Sequence, residues 1–474
     1  GSTYVTTMLL AYLLGPEAFG LVAMALAYIF FIELFVGQGF SPAIVQRKTL
    51  EDGHLNAAFL IVLSLSALLV VLSILLSEWW AAVCQTPDLE QVILVLSISI
   101  PMRGLTVVQE AVQTRALRFK DLAVARTSSV LAGAVVGIGL AVAGAGVWAL
   151  VAQHLVRTGW LGAVLWYRSD WWPGLRCTWQ QAWPLIHFSA RSFPATLLDF
   201  TSRYAEIFIL GALFGPMLVG LFRLANRLVD MANQLVTKAL WLVAFPYFSK
   251  AQDDRTQLHD RLSDCIRLAG AFSVPLLVTL ASVSPWLLTL LGPEWQPAVT
   301  ALQILCLHGV VRAFAIFAGP VLQAVNKPQI LSVYIGIYCV AICGAAGATG
   351  IFMQDAPVAD ALAAVAAARV AATLLVYLPL AVYFYAHHTG LRPLRFVALT
   401  GPGLGASVAS AVAMFGTGLV LPTGQMPPIV LVMVLGSVAA LVTVGTLLAL
   451  DPRLRAWAAT GWHQVRSKTV KPAA

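Results

Sequence analysis

Long apolar segments follow one another along the whole chain, separated by short polar loops. Fourteen can be drawn, and none shows the period-2 alternation of a half-buried strand. A helix needs about 20 apolar residues to cross a bilayer, and open strand edges are not viable in lipid. The pattern therefore predicts an all-α polytopic membrane protein with about fourteen transmembrane helices. Their approximate limits are 1–14, 17–40, 55–77, 90–112, 122–143, 147–167, 183–213, 217–247, 266–290, 298–325, 329–352, 359–386, 394–419 and 427–450.

The first segment is about half the length of a span. It begins with Gly1 rather than Met and has no charged n-region, which argues against a signal peptide. We expect this segment to be a truncated first transmembrane helix.

Lysine and arginine are distributed unevenly between the loops. When loops are assigned alternately to two sides, one side and the C-terminal tail contain twenty Lys and Arg, and the other side contains none. Basic loops remain in the cytoplasm, so both termini are expected to be cytoplasmic. The twenty are Arg47, Lys48, Arg115, Arg118, Lys120, Arg126, Arg168, Arg176, Lys250, Arg255, Arg261, Arg267, Lys327, Arg392, Arg395, Arg453, Arg455, Arg466, Lys468 and Lys471.

Composition agrees with a membrane location. Charged residues make up only 11% of the 474 residues, against about 25% in a typical soluble domain. The hydrophobic fraction is 59% and the mean hydropathy is +0.84, so a soluble chain of this composition would have too little polar surface. The net charge of +8 could indicate nucleic-acid binding. Its one-sided placement indicates membrane topology instead, and no nucleic-acid partner is expected.

The chain contains traces of an internal repeat. The motif Gly-Pro-x-x-x-Gly-Leu occurs at 15–21 and again at 215–221, an offset of 200 residues. Two pairs of arginines within spans recur with offsets of 209 and 212, namely Arg103 with Arg312 and Arg157 with Arg369. Offsets that increase along the chain are what changes in loop length between two copies would produce. The repeat predicts two six-helix halves.

Because six is even, both halves would insert with the same topology, related by a pseudo-two-fold axis along the membrane normal. Two similar bundles that face each other form a cleft that can open to either side, which is the layout of a transporter. The expected regions are an N-terminal six-helix bundle at 1–170, a C-terminal six-helix bundle at 180–388, two extra helices at 390–450 and a cytoplasmic tail at 451–474.

Nine basic residues fall inside predicted spans, where each costs about 2.5–3.5 kcal/mol at the centre. One alone could be a structural ion pair or a snorkelling side chain. The set favours a shared cationic cavity, because arginine binds phosphate and other anionic groups with a planar fork. The nine predicted substrate-binding residues are Arg103, Arg157, Arg191, Arg203, Arg223, Arg227, Lys238, Arg312 and Arg369.

Helical spacing places the polar residues of segments 7 and 8 in stripes that are expected to face a common space. The stripes are Asp199, Arg203 and Glu206 in segment 7, and Arg223, Arg227, Asp230, Gln234 and Lys238 in segment 8.

Five acids also lie within spans, Glu110 among them. Glu33 has no cation within one turn of its own helix, so of the five it is the one most expected to titrate. A satisfied structural acid is the favoured interpretation, and coupling of transport to protons or sodium is the hypothesis set beside it. The ion-coupling candidates are Glu33, Asp199, Glu206 and Asp230. Histidines are scattered singly over three spans and no P-loop motif is present, so neither a metal, nor ATP, nor another cofactor is expected.

Five stretches resemble Wzx-type polysaccharide flippases, which belong to the MOP exporter superfamily together with the MATE exporters and the lipid II flippase. The stretches are LLGPEAFGLVAMA (13–25), VQRK (45–48), GVWALVAQ (146–153), FPYFSKAQDD (245–254) and LGPEWQPA (291–298). The resemblance covers nearly the whole chain. It implies translocation of an undecaprenyl-pyrophosphate-linked oligosaccharide to the periplasmic leaflet of the bacterial inner membrane, for exopolysaccharide or O-antigen lipopolysaccharide biosynthesis.

The resemblance also assigns roles to single residues. The family's Ser-Arg-x-x-Asp pattern in segment 7 begins here at Ser202, with Glu206 in place of Asp. Arg227 fits the family's arginine in segment 8. The family's other basic residue falls at Leu224, so the role of Arg223 rests on the stripe alone.

The main hypothesis is therefore a monomeric flippase that works by alternating access and is not an enzyme. Its expected partners are the lipid-linked oligosaccharide, membrane lipids and the polysaccharide polymerase and export machinery. A MATE-like ion-coupled exporter of small molecules is one alternative, although buried bases outnumber buried acids. An intramembrane glycan polymerase or ligase is another, but the acids and histidines form no acid–base constellation in one loop. The pyrophosphate would be held by Arg203, Arg223 and Arg227, with Arg103 and Arg312 opposite.

Overall fold

The computed structural model describes residues 2–37, 39–47, 49–174, 176–251, 254–421, 426–453 and 455. Within these ranges the chain is helical almost throughout and contains no strand. The helices are α1 Ser2–Gly37, α2 Phe40–Gln46, α3 Asp52–Val83, α4 Asp88–Leu96, α5 Ser99–Arg115, α6 Phe119–Val142, α7 Val147–Tyr167, α8 Trp179–Ser249, α9 Arg255–Thr289, α10 Ala298–Ala315, α11 Ala318–Ala324, α12 Pro328–Phe352, α13 Val358–Ala372, α14 Leu378–Thr389, α15 Pro393–Val420 and α16 Pro428–Leu450. Most of the predicted tail at 451–474, like Lys48, lies outside the described residues.

In the described part of the chain, eleven helical stretches are long and apolar enough to cross a bilayer. The predicted all-helical polytopic membrane protein is therefore confirmed. Two of the helices, α1 and α8, each cover two of the predicted segments. The number of fourteen crossings remains a prediction.

The two Gly-Pro motifs bend α1 and α8 in the same way. Gly15 has φ 72° and ψ 172°, and Gly215 has φ 73° and ψ −171°. A side chain at such a φ is strained, which explains glycine at both positions. The following proline can begin the next helical stretch, because the first turn of a helix leaves its N–H groups without intrahelical partners. The sequence motif thus corresponds to one backbone conformation used twice.

A second backbone feature recurs at an offset of 209 residues, the same offset that relates Arg103 to Arg312. Leu117, after α5, has φ 55°, and Asn326, after α11, has φ 56°. In both turns the next residue donates its backbone N–H five residues back, from Arg118 to Gln113 and from Lys327 to Leu322. The two turns are 209 residues apart and each is followed directly by the next long helix. This agreement supports the repeat interpretation.

Three of the predicted segments contain an interruption of the α-helix. The helix breaks at Ser97 and at Ile316, and a π-helical turn occupies Thr373–Tyr377. Ser97 and Ile316 each precede a proline by four residues, Pro101 and Pro320. Proline has no N–H to donate to the carbonyl four residues back, and its ring clashes with that carbonyl.

The π turn has the same cause. Pro379 lies four residues after Leu375, which is inside the turn. Local π geometry is one way in which a helix re-satisfies the carbonyl that a proline frees. Each of the three predicted segments still corresponds to one stretch long and apolar enough to cross a bilayer, namely Asp88–Arg115, Ala298–Ala324 and Val358–Thr389.

Contacts divide the chain into two compact units. The first comprises Gly1–Arg223 and Cys343–Leu362, and the second comprises Leu224–Ile342 and Ala363–Ala474. The predicted division into bundles at 1–170 and 180–388 remains a prediction.

Inside the first unit, polar groups link α1, α3 and the end of α4. The Tyr28 hydroxyl donates to the Ser73 carbonyl at 2.9 Å, and the Ser73 and Ser97 hydroxyls lie 2.9 Å apart. Hydrogen bonds between helices hold a membrane protein together where lipid offers no alternative partner.

The second unit is built around α9. This helix packs against α10, α15 and α16, and the main core lies where α9, α11 and α14 meet the end of α8 and the start of α15. Phe248, Phe317 and Tyr385 are among its fully buried side chains. The hydroxyl of Tyr385 donates to the Phe314 carbonyl at 2.8 Å, so the one polar atom of this ring is satisfied.

Candidate substrate and ion sites

A charged pocket of about 280 Å³ lies in the first unit between α1, α5 and α6. Two acids and two bases line it, so their charges balance. The four are Glu33 on α1, Arg103 and Glu110 on α5, and Arg126 on α6. Of these, Glu33 and Arg103 were predicted site residues.

Glu110 is the centre of this pocket, because it joins the two arginines. Arg103 donates from Nη1 to Glu110 Oε2 at 3.1 Å, and Arg126 donates from Nη2 to Glu110 Oε1. The Glu110 side chain is only 14% exposed. Seven residues separate Arg103 from Glu110, which is two helical turns, so both lie on one face of α5.

Glu33 has a partner that the sequence did not reveal. Ser99 donates its hydroxyl to Glu33 Oε1 at 2.9 Å, and Arg103 lines the same pocket. Glu33 thus faces a hydrogen-bond donor and a cation from α5, although its own helix offers neither.

A second pocket, of about 210 Å³, lies in the second unit between α8 and α10. Residues of α8 that line it follow helical spacing. They are Asp230, Asn233, Gln234, Thr237, Lys238 and Trp241. Asp230, Gln234 and Lys238 belong to the predicted stripe, and Arg312 of α10 faces them across the pocket.

An ion pair connects the two helices here. Arg312 donates from Nη1 to Asp230 Oδ1 at 2.6 Å, and Asn226 donates to Asp230 Oδ2 at 3.5 Å. One turn away, Asn233 donates from Nδ2 to the Gly309 carbonyl at 3.2 Å. Asp230 therefore neutralises Arg312. Lys238 is exposed and has no ion-pair partner among the described residues.

The other predicted site residues lie outside the linings of these two pockets. Arg203 forms a bidentate pair with Asp199, one turn away on α8, with three contacts of 3.0–3.1 Å, and both side chains are exposed. Glu206 is buried. The remaining five are exposed or half-buried: Arg157 on α7, Arg191, Arg223 and Arg227 on α8, and Arg369 on α13.

Several pocket residues were missed from the sequence. Arg126 was assigned to a loop, but it lies in the first turns of α6 and pairs with Glu110. Trp241 received no role, although its position three residues after Lys238 places both on one face of α8. That spacing was the available signal.

Fold and pockets together define a class of protein: a polytopic α-helical membrane protein with charged cavities among its helices, as transporters have. The family model described as "Polysaccharide biosynthesis protein" matches residues 9–300. The chain belongs to this polysaccharide biosynthesis protein family.

Relatives within the family are similar over most of their length. The chain is 28% identical over 351 residues to the succinoglycan biosynthesis transport protein ExoT of Rhizobium meliloti (strain 1021), covering 73% of this chain and 70% of that one. It is 25% identical over 342 residues to the lipopolysaccharide biosynthesis protein WzxC of Escherichia coli (strain K12), covering 70% and 68%. The resemblance seen in the sequence is therefore confirmed.

Solved structures share the fold. The lipid II flippase MurJ in an inward closed conformation aligns with a TM-score of 0.75 at 14% identity, covering 96% of this chain and 98% of that one. An inward-facing MATE-family multidrug transporter of the MOP superfamily aligns with a TM-score of 0.64 at 14% identity, covering 84% and 96%. At such identities the likeness concerns the fold alone.

Proposed function

We propose that this protein is a flippase that moves undecaprenyl-pyrophosphate-linked oligosaccharide repeat units across the bacterial inner membrane by alternating access. The repeat units would then enter exopolysaccharide or O-antigen synthesis. Family membership and relatives named for succinoglycan transport and lipopolysaccharide biosynthesis support this proposal. The fold shared with a lipid II flippase supports it as well.

The observation that carries the proposal is the gathering of charged side chains in pockets among apolar helices. Arg103 lines one pocket, and Lys238 and Arg312 line the other. Charges at membrane depth persist where they face a wet cavity or a partner, and they mark substrate paths. A pyrophosphate attached to a lipid is an anionic group that must cross the membrane, and arginine binds its oxygens in pairs.

We assign the pyrophosphate to Arg203, Arg223 and Arg227, together with Arg103 and Arg312. The Asp199 carboxylate holds the Arg203 guanidinium by a bidentate contact, which fixes its plane before substrate arrives. Arg157, Arg191, Lys238 and Arg369 complete the set of basic residues that would line the path.

Coupling to an ion is assigned to Glu33, with Asp199, Glu206 and Asp230 as further candidates. Glu33 fits this role because its partners, Ser99 and Arg103, come from α5 rather than from its own helix. A change in its charge would therefore alter the contact between α1 and α5.

The proposed protein has cytoplasmic termini and acts as a monomer without cofactor or enzymatic activity. It would take its substrate in the cytoplasmic leaflet and deliver it to the polymerase and export machinery on the periplasmic side. A MATE-like exporter of cationic compounds is the second candidate, which the shared fold favours. The surplus of basic over acidic residues within the spans opposes that candidate.

The deciding experiment locates the lipid-linked repeat unit in cells that lack the protein. A flippase defect leaves single repeat units in the cytoplasmic leaflet, inaccessible to a membrane-impermeant glycosidase or lectin, and plasmid-borne protein restores surface glycan. Single repeats that accumulate on the periplasmic side would instead identify a polymerase or ligase. Normal glycan combined with increased drug sensitivity would identify a MATE-like exporter.

A further inference from the structure

We propose that the pocket between α8 and α10 binds the junction between the first sugar and its phosphate, and so selects the sugar at the reducing end of the repeat unit. This inference rests on the proposed function, and it assigns to Trp241, Asn233 and Lys238 a recognition role that none of the pyrophosphate-binding arginines has.

The charge of the pocket suits a single phosphate group. Asp230 pairs with Arg312 at 2.6 Å, and this leaves Lys238 as the surplus positive charge. Lysine acts as a compact point charge with three donors, whereas the fork of arginine suits bidentate contacts. One lysine therefore fits the phosphate that bears the sugar, while the second phosphate needs other cations.

An aromatic face lies beside that charge. Trp241 lines the pocket one turn from Lys238, and its side chain is 45% exposed. A large exposed indole presents a flat apolar surface together with a polar N–H. The apolar face of a sugar ring can pack on this surface while its phosphate contacts Lys238. A pocket for an inorganic anion needs no such surface.

A buried acceptor completes the pocket. Asn233 is 6% exposed, and its Nδ2 donates to the Gly309 carbonyl, which fixes the orientation of the amide. Its Oδ1 is then an acceptor without a hydrogen-bond partner in the described structure. A buried polar atom left in this state is disfavoured, so a donor is expected there. A sugar hydroxyl is a donor of the required kind, whereas the ester phosphate dianion that bears the sugar has no O–H to donate.

Size and depth agree with this ligand. Pockets for drug-sized molecules measure about 300–1,000 Å³, so one of about 210 Å³ takes one sugar ring with its phosphate rather than an oligosaccharide. Lys238 and Trp241 lie near the end of α8 that leads into the basic loop containing Lys250. In the proposed topology this is the cytoplasmic end, where the head group of the lipid-linked substrate is loaded.

The test measures binding of soluble probes to the full-length protein in nanodiscs. The probes are glucose 1-phosphate and a panel of other hexose 1-phosphates, with inorganic phosphate and free glucose as references. We expect at least one hexose 1-phosphate to bind about tenfold more tightly than inorganic phosphate, as one good polar or stacking contact provides. Trp241→Leu should remove this preference, and Trp241→Phe should keep most of it. Lys238→Gln should weaken binding of every phosphate probe, and Lys238→Arg should restore it.

Matched controls are available on α8 and in the loop that follows it. Trp183 is an exposed tryptophan and Lys250 an exposed lysine, and neither lines the pocket. Trp183→Leu and Lys250→Gln should leave the binding preference unchanged. Equal affinity for phosphate and all hexose 1-phosphates, or a preference that survives Trp241→Leu, would overturn the proposal.

Transport of the lipid-linked repeat unit separates this inference from the proposed function. Normal transport without any preference for a sugar phosphate refutes the pocket assignment and leaves the flippase intact. A preference that depends on Trp241 in a protein that does not transport repeat units refutes the flippase and supports the pocket.

Discussion

Gly20 and Gly220 lie where α1 and α8 cross, each against the backbone of the other helix. A Cβ atom added to Gly20 would lie 1.7 Å from the Pro216 carbonyl oxygen, and one added to Gly220 would lie 1.8 Å from the Pro16 carbonyl oxygen. The contact is reciprocal, and both sides come from the repeated Gly-Pro-x-x-x-Gly-Leu motif. The second glycine of each motif therefore leaves room for the backbone carbonyl of the proline in the other motif.

Replacing either glycine by alanine should destabilise the protein. Alanine normally stabilises a helix interior by about 0.8–1 kcal/mol relative to glycine. Here the backbone carbonyl must move away, and overpacking of this kind costs about 1–3 kcal/mol. We expect lower melting temperatures in detergent for Gly20→Ala and Gly220→Ala. Gly139→Ala is the control, since no atom lies within 4 Å of its Cβ position. Equal melting temperatures for all three proteins would contradict the crossing.

Variants of Asp230 and Arg312 distinguish a role of these charges in folding from a role in transport. Asp230→Asn leaves the Arg312 cation in its pocket without its counter-ion, so the amount of folded protein should fall. The double variant Asp230→Asn/Arg312→Gln removes both charges and should recover folding. Transport by the double variant should remain low, because a cation on the substrate path is missing. Fluorescence-detected size exclusion and repeat-unit transport are the two measurements, and a double variant that transports normally would assign the pair to structure alone.

Glu110 should be more important for stability than either arginine that it contacts. Glu110→Gln places Arg103 and Arg126 near each other without the carboxylate that joins them, and we expect a loss of roughly 1–3 kcal/mol. This loss of stability is moderate because the Arg126 side chain is 63% exposed and can turn toward solvent. Arg126→Gln should cause a smaller loss of stability. The double variant Glu110→Gln/Arg126→Gln should lose no more stability than Glu110→Gln alone. Thermal melting of purified protein measures all three, and additive losses would refute a shared network.

Glu33 is expected to link transport to an ion gradient. Glu33→Gln keeps an acceptor for the Ser99 hydroxyl but cannot change its charge, so transport should persist at a reduced rate and lose its response to an imposed pH or sodium gradient. Glu17→Gln, on the same helix and exposed, is the control. Reconstituted proteoliposomes with defined gradients provide the measurement. A Glu33→Gln protein that responds like the wild type would exclude this residue from coupling.

Arg203 and Arg227 provide the test of the pyrophosphate assignment. Arg203→Ala and Arg227→Ala should insert and fold, because each residue is at least partly exposed, while transport of repeat units should fall by about tenfold or more for each lost charge-assisted contact. The lysine variants should recover part of the activity through charge without the bidentate geometry. Wild-type transport rates in both alanine variants would remove these residues from the site.

The sequence predicted what depends on local pattern. Helix positions follow from runs of apolar residues, and the bends at Gly15 and Gly215 follow from a motif that needs a positive φ. The pair of Arg203 with Asp199 was visible as a spacing of four residues on one helix. Each of these features is determined by residues close together in the chain.

The contacts that could not be predicted from the sequence depend on packing between helices. Asp230 and Arg312 are 82 residues apart, and Glu33 and Ser99 are 66 residues apart, so no spacing rule connects them. Arg126 was counted with the basic loop residues although it lies within the predicted limits 122–143, and α6, which begins at Phe119, places it in the helix. Partners of this kind become visible only when the helices are placed beside each other.

The 82-residue separation of Asp230 and Arg312 also bears on how the protein is made. Synthesis delivers α8 first, and Asp230 then lacks its ion-pair partner Arg312 until α9 and α10 have followed. An unpaired charge near the middle of an inserting helix is disfavoured by about 2.5–3.5 kcal/mol. We therefore expect α8 to remain beside the insertion machinery until α10 emerges, so that the two helices enter the bilayer as a neutral pair. A chain truncated between them should be recognised as defective and degraded.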